Sequence, residues 1–249
     1  GANSGNGLAS LREVNSTNLV GEGTLAYKKT FNDNHNLDVV VGYSYQETKG
    51  DGTQLSQTNL LSDALGVNMI GIGDPASLQV SVFEGGDNIR SYFGRVNYDF
   101  AKKYFITGVF RRDGSALFSQ GEPWGNFPSG AVAWRISEED FLKDSSTLNE
   151  LKVRAEWGVV GNNAIPGLET VGRSQLSFNG QSFVITPNAL GNPNLTWETT
   201  TTTNFGVDFG LFNNRISGSF DLYKKVTDDL FLRTTVPAPT IDGSLLINA

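Results

Sequence analysis

The links between the candidate strands of this sequence are alternately very short and very long. Candidate strands are segments in which polar and apolar residues alternate, because successive side chains of a strand point to opposite faces. In 36–46, for example, Leu37, Val39 and Tyr43 fall on one face and Asp38 on the other. About eight such segments, each near the roughly 9 to 11 residues of a membrane-crossing strand or longer, are found. They are 22–31, 36–46, 91–100, 104–112, 127–136, 151–160, 196–211 and 215–226.

The short links lie on one side of the predicted sheet and the long links on the other. Tight turns are predicted at 31–36, at 100–104 and at Asn213-Asn214. The fourth link of this side, 137–149, is predicted to be a short helix with Ser137 as its N-cap. The long links are 47–89, 113–126, 161–195 and the tail after Val226. Outer-membrane barrels have short periplasmic turns and long extracellular loops, so the pattern predicts an all-β, antiparallel transmembrane β-barrel wall.

Aromatic residues are expected near both ends of the strands, as in the interfacial girdles of membrane barrels. The predicted inner girdle consists of Phe31, Tyr98, Phe100, Tyr104, Trp134 and Phe209. The predicted outer girdle consists of Tyr43, Tyr45, Tyr92 and Trp157. The same aromatics could fill the core of a soluble sandwich, since Tyr and Phe also favour strands. The ordered asymmetry of the links favours the barrel.

Composition and charge exclude several other classes of protein. No run approaches the roughly 18 apolar residues of a membrane-spanning helix. With no cysteines, the 249-residue chain has neither a disulfide framework nor a thiolate metal site. Its net charge of -7 argues against nucleic-acid binding, which depends on clustered Lys and Arg. Asp and Asn are frequent in the loops, which leaves loop calcium open, but no ordered ligand spacing supports it and no cofactor is predicted.

Residues suited to enzyme catalysis are sparse. The single histidine, His35, lies in a predicted tight turn, so no Ser-His-Asp triad can be assembled away from it. Carboxylates are plentiful, as in Glu138-Glu139-Asp140 and Asp228-Asp229, so their number alone does not exclude a glycosidase acid/base pair. Asp228 and Asp229 make a poor pair, because adjacent side chains of a strand point to opposite faces. The sequence therefore predicts no enzyme activity.

A series of motifs between residues 21 and 248 resembles the SusC/RagA family in order and spacing. Their residues are Gly94-Arg95-Val96-Asn97-Tyr98, Lys103-Tyr104, Arg111-Arg112-Asp113-Gly114-Ser115, Trp124-Gly125-Asn126-Phe127-Pro128-Ser129, Trp134-Arg135-Ile136-Ser137, Leu151-Lys152-Val153-Arg154, Gly158, Gly161-Asn162, Gly191-Asn192-Pro193-Asn194-Leu195-Thr196-Trp197-Glu198, Asn204-Phe205-Gly206-Val207-Asp208 and Tyr223. A set this ordered is difficult to obtain by chance.

The resemblance implies a TonB-dependent transporter in the outer membrane of Bacteroidota. Members of the family are 22-stranded barrels with an N-terminal plug, and a SusD-like surface lipoprotein caps the extracellular side. TonB acts on the plug, and the cargo is an oligosaccharide or, in some members, a peptide. Residues 1–249 would then be a sector of about eight strands of the barrel domain. The signal peptide, the plug and the barrel C-terminus are expected to lie outside this sequence.

The family motifs also supply candidate site residues. The candidates for cargo contact are Arg112, Trp124, Asn126 and Trp197. Other motif residues have the character of turns and loop anchors, and for these a structural role is expected. They are Arg111, Asp113, Gly114, Gly161, Asn162, Gly191, Asn192, Pro193 and Glu198.

Two other interpretations remain open at this stage. One is a soluble β-sandwich that binds carbohydrate or acts as an adhesin, with Trp residues as ligand platforms. The other is a small closed barrel, which the glycines at candidate lumen positions would leave underfilled. The barrel-wall interpretation assigns Val153, Val207 and Phe220 to lipid, where arginine should be costly, and Asp208 and Ser219 to the lumen, where arginine should be milder.

Overall fold

The computed structural model describes residues 7–60, 66–72, 74–118, 122–165, 169–178, 183–236 and 244–249. Within these ranges the chain is built of strands and a few one-turn 3₁₀ helices. No helix among the described residues is long and apolar enough to cross a membrane. The strands are β1 Gly7–Phe31, β2 His35–Leu60, β3 Gln79–Phe100, β4 Tyr104–Ser115, β5 Trp124–Arg135, β6 Leu148–Asn162, β7 Arg173–Phe178, β8 Phe183–Ala189, β9 Glu198–Leu211, β10 Ile216–Asp228, β11 Phe231–Thr235 and β12 Ser244–Asn248.

Eight of these strands form one antiparallel sheet in the order β1-β2-β3-β4-β5-β6-β9-β10. The remaining strands form two small hairpins, β7-β8 and β11-β12. The sheet confirms the all-β, antiparallel prediction and its eight strands. A sandwich requires two large stacked sheets, whereas the described residues place all eight long strands in one sheet, so the sandwich interpretation is not supported.

Three strands are longer than predicted by twelve residues or more. β1 begins at Gly7, β2 continues to Leu60 and β3 begins at Gln79, so the predicted loop 47–89 is wrong over most of its length. The described residues of 1–20 and 46–88, which include these extensions, form a compact unit of their own. Within it, the Arg12 guanidinium lies 4.7 Å from the centre of the Phe83 ring. The apparent helical turn in 58–65 begins in β2, and its second half lies outside the described residues.

The short turns lie where the sequence predicts them. Asn32 and Asp33 have φ values of 45° and 59°, and Asn213 and Asn214 have φ values of 60° and 58°. Asn and Asp tolerate this left-handed region better than other non-glycine residues, which is why they mark these turns. The turn before β4 uses Ala101 and Lys102 in the same region, with φ values of 53° and 57°.

The link between β5 and β6 is not the predicted helix. A single 3₁₀ turn spans Ile136–Glu138, and no side chain caps it. Three further hydrogen bonds follow, from the backbone N–H groups of Leu142 and Lys143 to the carbonyl of Glu139 and from that of Ser145 to the carbonyl of Leu142. So few residues are available that a helix would be marginal. The segment instead holds Glu139 against the aromatic residues of the neighbouring strands.

Stacked aromatic rings line the sheet beside these turns. The ring of Tyr104 stacks on Phe100 at 6.1 Å and on Trp134 at 6.2 Å. The Tyr104 hydroxyl donates to Glu139 Oε1 at 2.7 Å, and Trp134 Nε1 donates to the same oxygen at 3.0 Å. Lys103 Nζ lies 3.2 Å from Glu139 Oε2. Aromatic rings whose hydroxyl or N–H groups are hydrogen-bonded suit the membrane–water interface. This is the environment predicted for the inner girdle.

The charge of Glu139 should make the stability of this end of the sheet sensitive to acid. Hydrogen bonds from Tyr104 and Trp134, together with Lys103, lower the pKa of Glu139 below its ordinary value of 4.5. A carboxyl group whose pKa is lowered in the folded state stabilises the folded protein at pH values above its ordinary pKa. This stabilisation is lost as the pH falls through the folded-state pKa. We expect Glu139→Gln to reduce the loss of stability of the parent receptor below pH 4.5, measured by thermal unfolding across pH. An unchanged acid transition would contradict this role.

Candidate functional site

The register of the sheet separates an apolar face from a polar face. On the apolar face Val207 pairs with Phe220, and Phe205 pairs with Leu222. On the other face Asp208 pairs with Ser219, and Gly206 pairs with Asp221. The apolar face carries large side chains that are half or more exposed in the isolated chain: Ile106, Phe110, Val132, Phe205, Phe220 and Leu222. A continuous apolar surface of this kind indicates contact with lipid, so the polar face is the lumen wall.

An ion-pair network lies on the lumen wall, on the last three strands of the sheet. Arg154 binds Asp208 through two hydrogen bonds of 3.1 Å, one from Nε and one from Nη2. The same Nη2 lies 3.1 Å from Asp221 Oδ1, and Nη1 lies 3.5 Å from Glu156. Asn204 Nδ2 also donates to Asp221 Oδ1 at 3.1 Å. The network joins β6, β9 and β10, and its carboxylates of Glu156, Asp208 and Asp221 outnumber its one guanidinium.

Gly206 makes room for this network. A Cβ atom at Gly206 would lie 2.7 Å from both Arg154 Cζ and Asp221 Oδ1, closer than real Cβ atoms approach. The guanidinium of Arg154 therefore lies directly across the β9 backbone. This explains why a glycine, normally unfavourable in a strand, occurs at this position.

The buried hydrophobic core of the described residues lies at the extracellular end of the sheet. It contains Phe118, Phe127, Ile165, Leu195, Trp197 and Leu246. The Trp197 ring lies 5.5 Å from Phe118 and 5.2 Å from Phe127, and its Nε1 donates to the Pro123 carbonyl at 3.1 Å. The extracellular links therefore fold against one another and form a defined surface over the strand ends. We call these six residues the extracellular core.

Two motif glycines fit beneath one ring of the extracellular core. A Cβ atom at Gly125 or at Gly161 would collide with the Phe127 ring. A Cβ atom at Gly161 would also lie 3.0 Å from the Trp197 ring. The close approach of these rings to the backbone explains the glycine at position 161 of the family motif.

Motif amides and carboxylates tie the extracellular links together. Asn162 Nδ2 donates to Glu198 Oε1 at 3.0 Å, and Asn192 Nδ2 donates to the Leu246 carbonyl at 2.9 Å. Asn192 Oδ1 accepts from the backbone N–H of Asn194 at 3.0 Å, across the turn that contains Pro193. A Cβ atom at the neighbouring Gly191 would collide with the backbone of residues 171–172.

The motif around Arg111 lies where β4 leaves the membrane. Arg111 donates from Nε to Asp113 Oδ2 and from Nη2 to Ser91 Oγ, both at 2.8 Å. Its guanidinium also lies 5.8 Å from the centre of the Phe93 ring. Gly114 lies beneath Trp124, whose ring would be 2.9 Å from a Cβ atom there. Each of these residues has a structural contact.

The four candidates for cargo contact lie in two different places. Arg112 pairs with Tyr92 and with Asn126, which places it on the apolar face, opposite Arg111. Its guanidinium lies 5.2 Å from the centre of the Trp124 ring. Trp197 is separate from this group and is only 5% exposed within the extracellular core, so its ring offers little surface to a sugar.

Sequence reasoning did not single out the network around Arg154. Its members lie 54 and 67 positions apart in the chain, and only the strand register brings them together. The sequence did contain one signal. Arg154, Asp208 and Asp221 are charged residues on the polar faces of their predicted strands. Their mutual pairing becomes evident only when β6, β9 and β10 are known to be neighbours.

Comparisons with known proteins agree with this architecture. Residues 2–249 match the family model "TonB dependent receptor-like, beta-barrel". The chain is 36% identical over 246 residues to TonB-dependent receptor P26 of Formosa agariphila, covering 97% of this chain and 25% of that protein. It is 43% identical over 163 residues to TonB-dependent receptor SusC of Bacteroides thetaiotaomicron, covering 62% of this chain and 16% of that protein.

A solved structure of a transporter has the same fold as this chain. The RagAB peptide transporter superimposes with a TM-score of 0.84 at 26% identity, covering 96% of this chain and 27% of the matched chain. The chain thus spans about a quarter of the length of the receptor P26 and of the RagAB chain. It belongs to the TonB-dependent receptor β-barrel family, as an outer-membrane barrel segment of the SusC/RagA type.

Proposed function

We propose that the parent protein of this chain imports oligosaccharides or peptides through the outer membrane together with a SusD-like surface lipoprotein. The observation that carries the proposal is the polar lumen wall behind the lipid-facing surface. A bidentate Arg154–Asp208 pair with Asp221 beside it needs contact with water or with polar groups, because buried charges in lipid are very costly. Such a wall suits a passage for polar cargo.

Neutral hydrogen-bonding side chains extend the same wall. Thr107 Oγ1 donates to Asn97 Oδ1 at 2.9 Å, and the hydroxyls of Thr200 and Thr227 lie 2.9 Å apart. Sugars and peptides both present many hydroxyl or amide groups, which can exchange hydrogen bonds with such a wall and with its water. The proposal is supported by the likeness to the RagAB peptide transporter and to the TonB-dependent receptors SusC and P26.

The lipoprotein part of the proposal rests on the folded extracellular links. The extracellular core, centred on Phe118, Leu195 and Trp197, fixes these links into a defined surface above the strand ends. A preformed surface can bind a partner without first having to become ordered. Energy for transport would come from TonB acting on a plug domain of the parent protein.

The experiment uses the parent receptor in its own host. We expect an affinity-tagged receptor, extracted in mild detergent, to co-purify with a surface lipoprotein in near one-to-one amount, identified by mass spectrometry. Deletion of the receptor gene should abolish uptake of one fluorescent oligosaccharide or peptide series. A receptor that purifies without a lipoprotein, in a host whose deletion strain takes up every series at the normal rate, would contradict the proposal.

A further inference from the structure

Two arginines at the extracellular end of the apolar face lie against aromatic rings. The guanidinium of Arg112 lies 5.2 Å from the Trp124 ring centre, and that of Arg90 lies 6.0 Å from the Tyr45 ring centre. Both arginines are exposed. Within the part of the chain that the structure describes, neither forms an ion pair, in contrast to Arg111 and Arg154. Their charge is therefore available to an external group.

The strand register brings the two arginines to one spot. Arg90 pairs with Gly114 and Tyr92 pairs with Arg112, so the arginines are diagonal neighbours on β3 and β4. The Cα atoms of such diagonal neighbours lie about 7–8 Å apart. Aromatic rings continue along the same face, with Tyr43 at 5.1 Å from Tyr92 and Tyr92 at 6.0 Å from Trp124. The spot thus combines two cations with a row of aromatic rings.

The spot lies at the level of lipid headgroups. Arg90 precedes Phe100 of the inner girdle by ten positions within β3. At about 3.3 Å per residue this is about 33 Å along the strand, and at a tilt of about 40° it is about 25 Å along the membrane normal. The apolar band of a membrane barrel is about 25 Å tall, so the arginines lie at its extracellular edge.

We propose that Arg90 and Arg112 bind a phosphate group of lipid A in the outer leaflet. Guanidinium groups bind phosphate through two parallel hydrogen bonds, and stacking on a ring leaves their N–H edges available. Trp and Tyr at headgroup level hold the same region in the interface. The site faces away from the lumen wall, so it is independent of the cargo. Charge complementarity and membrane level select a phosphorylated outer-leaflet lipid as the occupant.

The test measures lipid binding to the parent receptor by native mass spectrometry in detergent. The probes are diphosphoryl lipid A, dephosphorylated lipid A and phosphatidylglycerol. We expect the double variant Arg90→Gln/Arg112→Gln to bind diphosphoryl lipid A about tenfold more weakly than the unmodified receptor. Dephosphorylated lipid A and phosphatidylglycerol should bind the unmodified receptor more weakly than diphosphoryl lipid A.

The matched control is Arg95→Gln, which removes an exposed arginine from the opposite face of the same strand. It should leave binding of diphosphoryl lipid A unchanged, and the melting temperatures of all variants should agree. Equal lipid A binding by the double variant and the control would overturn the proposal, as would equal binding of the dephosphorylated lipid or of phosphatidylglycerol. Loss of a co-purifying lipoprotein without loss of lipid A would instead assign the spot to a protein partner and overturn it.

Discussion

Replacing Val207 with arginine is expected to destabilise the folded receptor by about 2–4 kcal/mol, the cost of a cation on the lipid face near the bilayer midplane. Val207 lies four residues before the end of β9 at Leu211 and between Val153 and Phe220 on the apolar face. Four residues correspond to about 13 Å along the strand, or about 10 Å along the membrane normal at a tilt of about 40°, which is about 3 Å from the middle of an apolar band of about 25 Å. The measurement is the urea dependence of folding of the parent receptor into phospholipid vesicles.

The matched control is Ser219→Arg, at the neighbouring register position on the lumen wall. Ser219 pairs with Asp208, so an arginine there meets water and a carboxylate, and we expect a loss below about 1 kcal/mol. The structure corrects one expectation here, because Asp208→Arg is not a mild change. Asp208 accepts two hydrogen bonds from Arg154, and a second cation in its place would repel that side chain. Equal losses at Val207 and Ser219 would contradict the assignment of the faces.

Replacing Trp197 with alanine is expected to cost about 3–5 kcal/mol of stability in the extracellular links, the usual range for removing a buried Trp. The ring is 5% exposed and packs on Phe118 and Phe127. Its loss also leaves the Pro123 carbonyl without its indole donor. The measurement is hydrogen exchange of the parent receptor, in peptides covering 122–135 and 190–200, where protection should fall.

The control for this change is Trp157→Ala. Trp157 is 45% exposed on the apolar face of β6, and its removal should leave exchange in the extracellular links unchanged. This pair of variants also tests the hypothesis that Trp197 contacts cargo. If Trp197→Ala reduced uptake while exchange in both peptides stayed normal, the structural role argued for the ring would be contradicted.

The sequence predicted the parts of the fold that depend on local chemistry. Turns at Asn32 and Asn213 follow from the tolerance of asparagine for positive φ, and the alternation around Val153 follows from lipid on one side and water on the other. The extension of β2 to Leu60 was missed because residues 47–60 are mostly polar and show no regular alternation of polar and apolar residues. β9 begins at Glu198 rather than 196, because Trp197 turns into the extracellular core.

The candidate site was less accessible to sequence reasoning. Arg112 and Trp197 both belong to recognisable motifs, yet the strand register places Arg112 on the apolar face and tertiary packing buries Trp197. The network of Arg154 with Asp208 and Asp221 required knowledge of which strands are neighbours. The motifs identify the family and show at what depth of the membrane a residue lies. The face of the sheet on which a side chain lies, and the residue that it contacts, depend on the strand register.

The two faces of the sheet are the central claim, and spin-label accessibility along β9 tests it most directly. The chain contains no cysteine, so single labels can be placed at positions 202–208 of the parent receptor, other than the crowded Gly206, once any cysteines elsewhere are replaced. In lipid vesicles, labels at Thr203, Phe205 and Val207 should be accessible to oxygen, and labels at Thr202, Asn204 and Asp208 to a water-soluble nickel complex. Accessibility without this period of two, or with the opposite phase, would contradict the account.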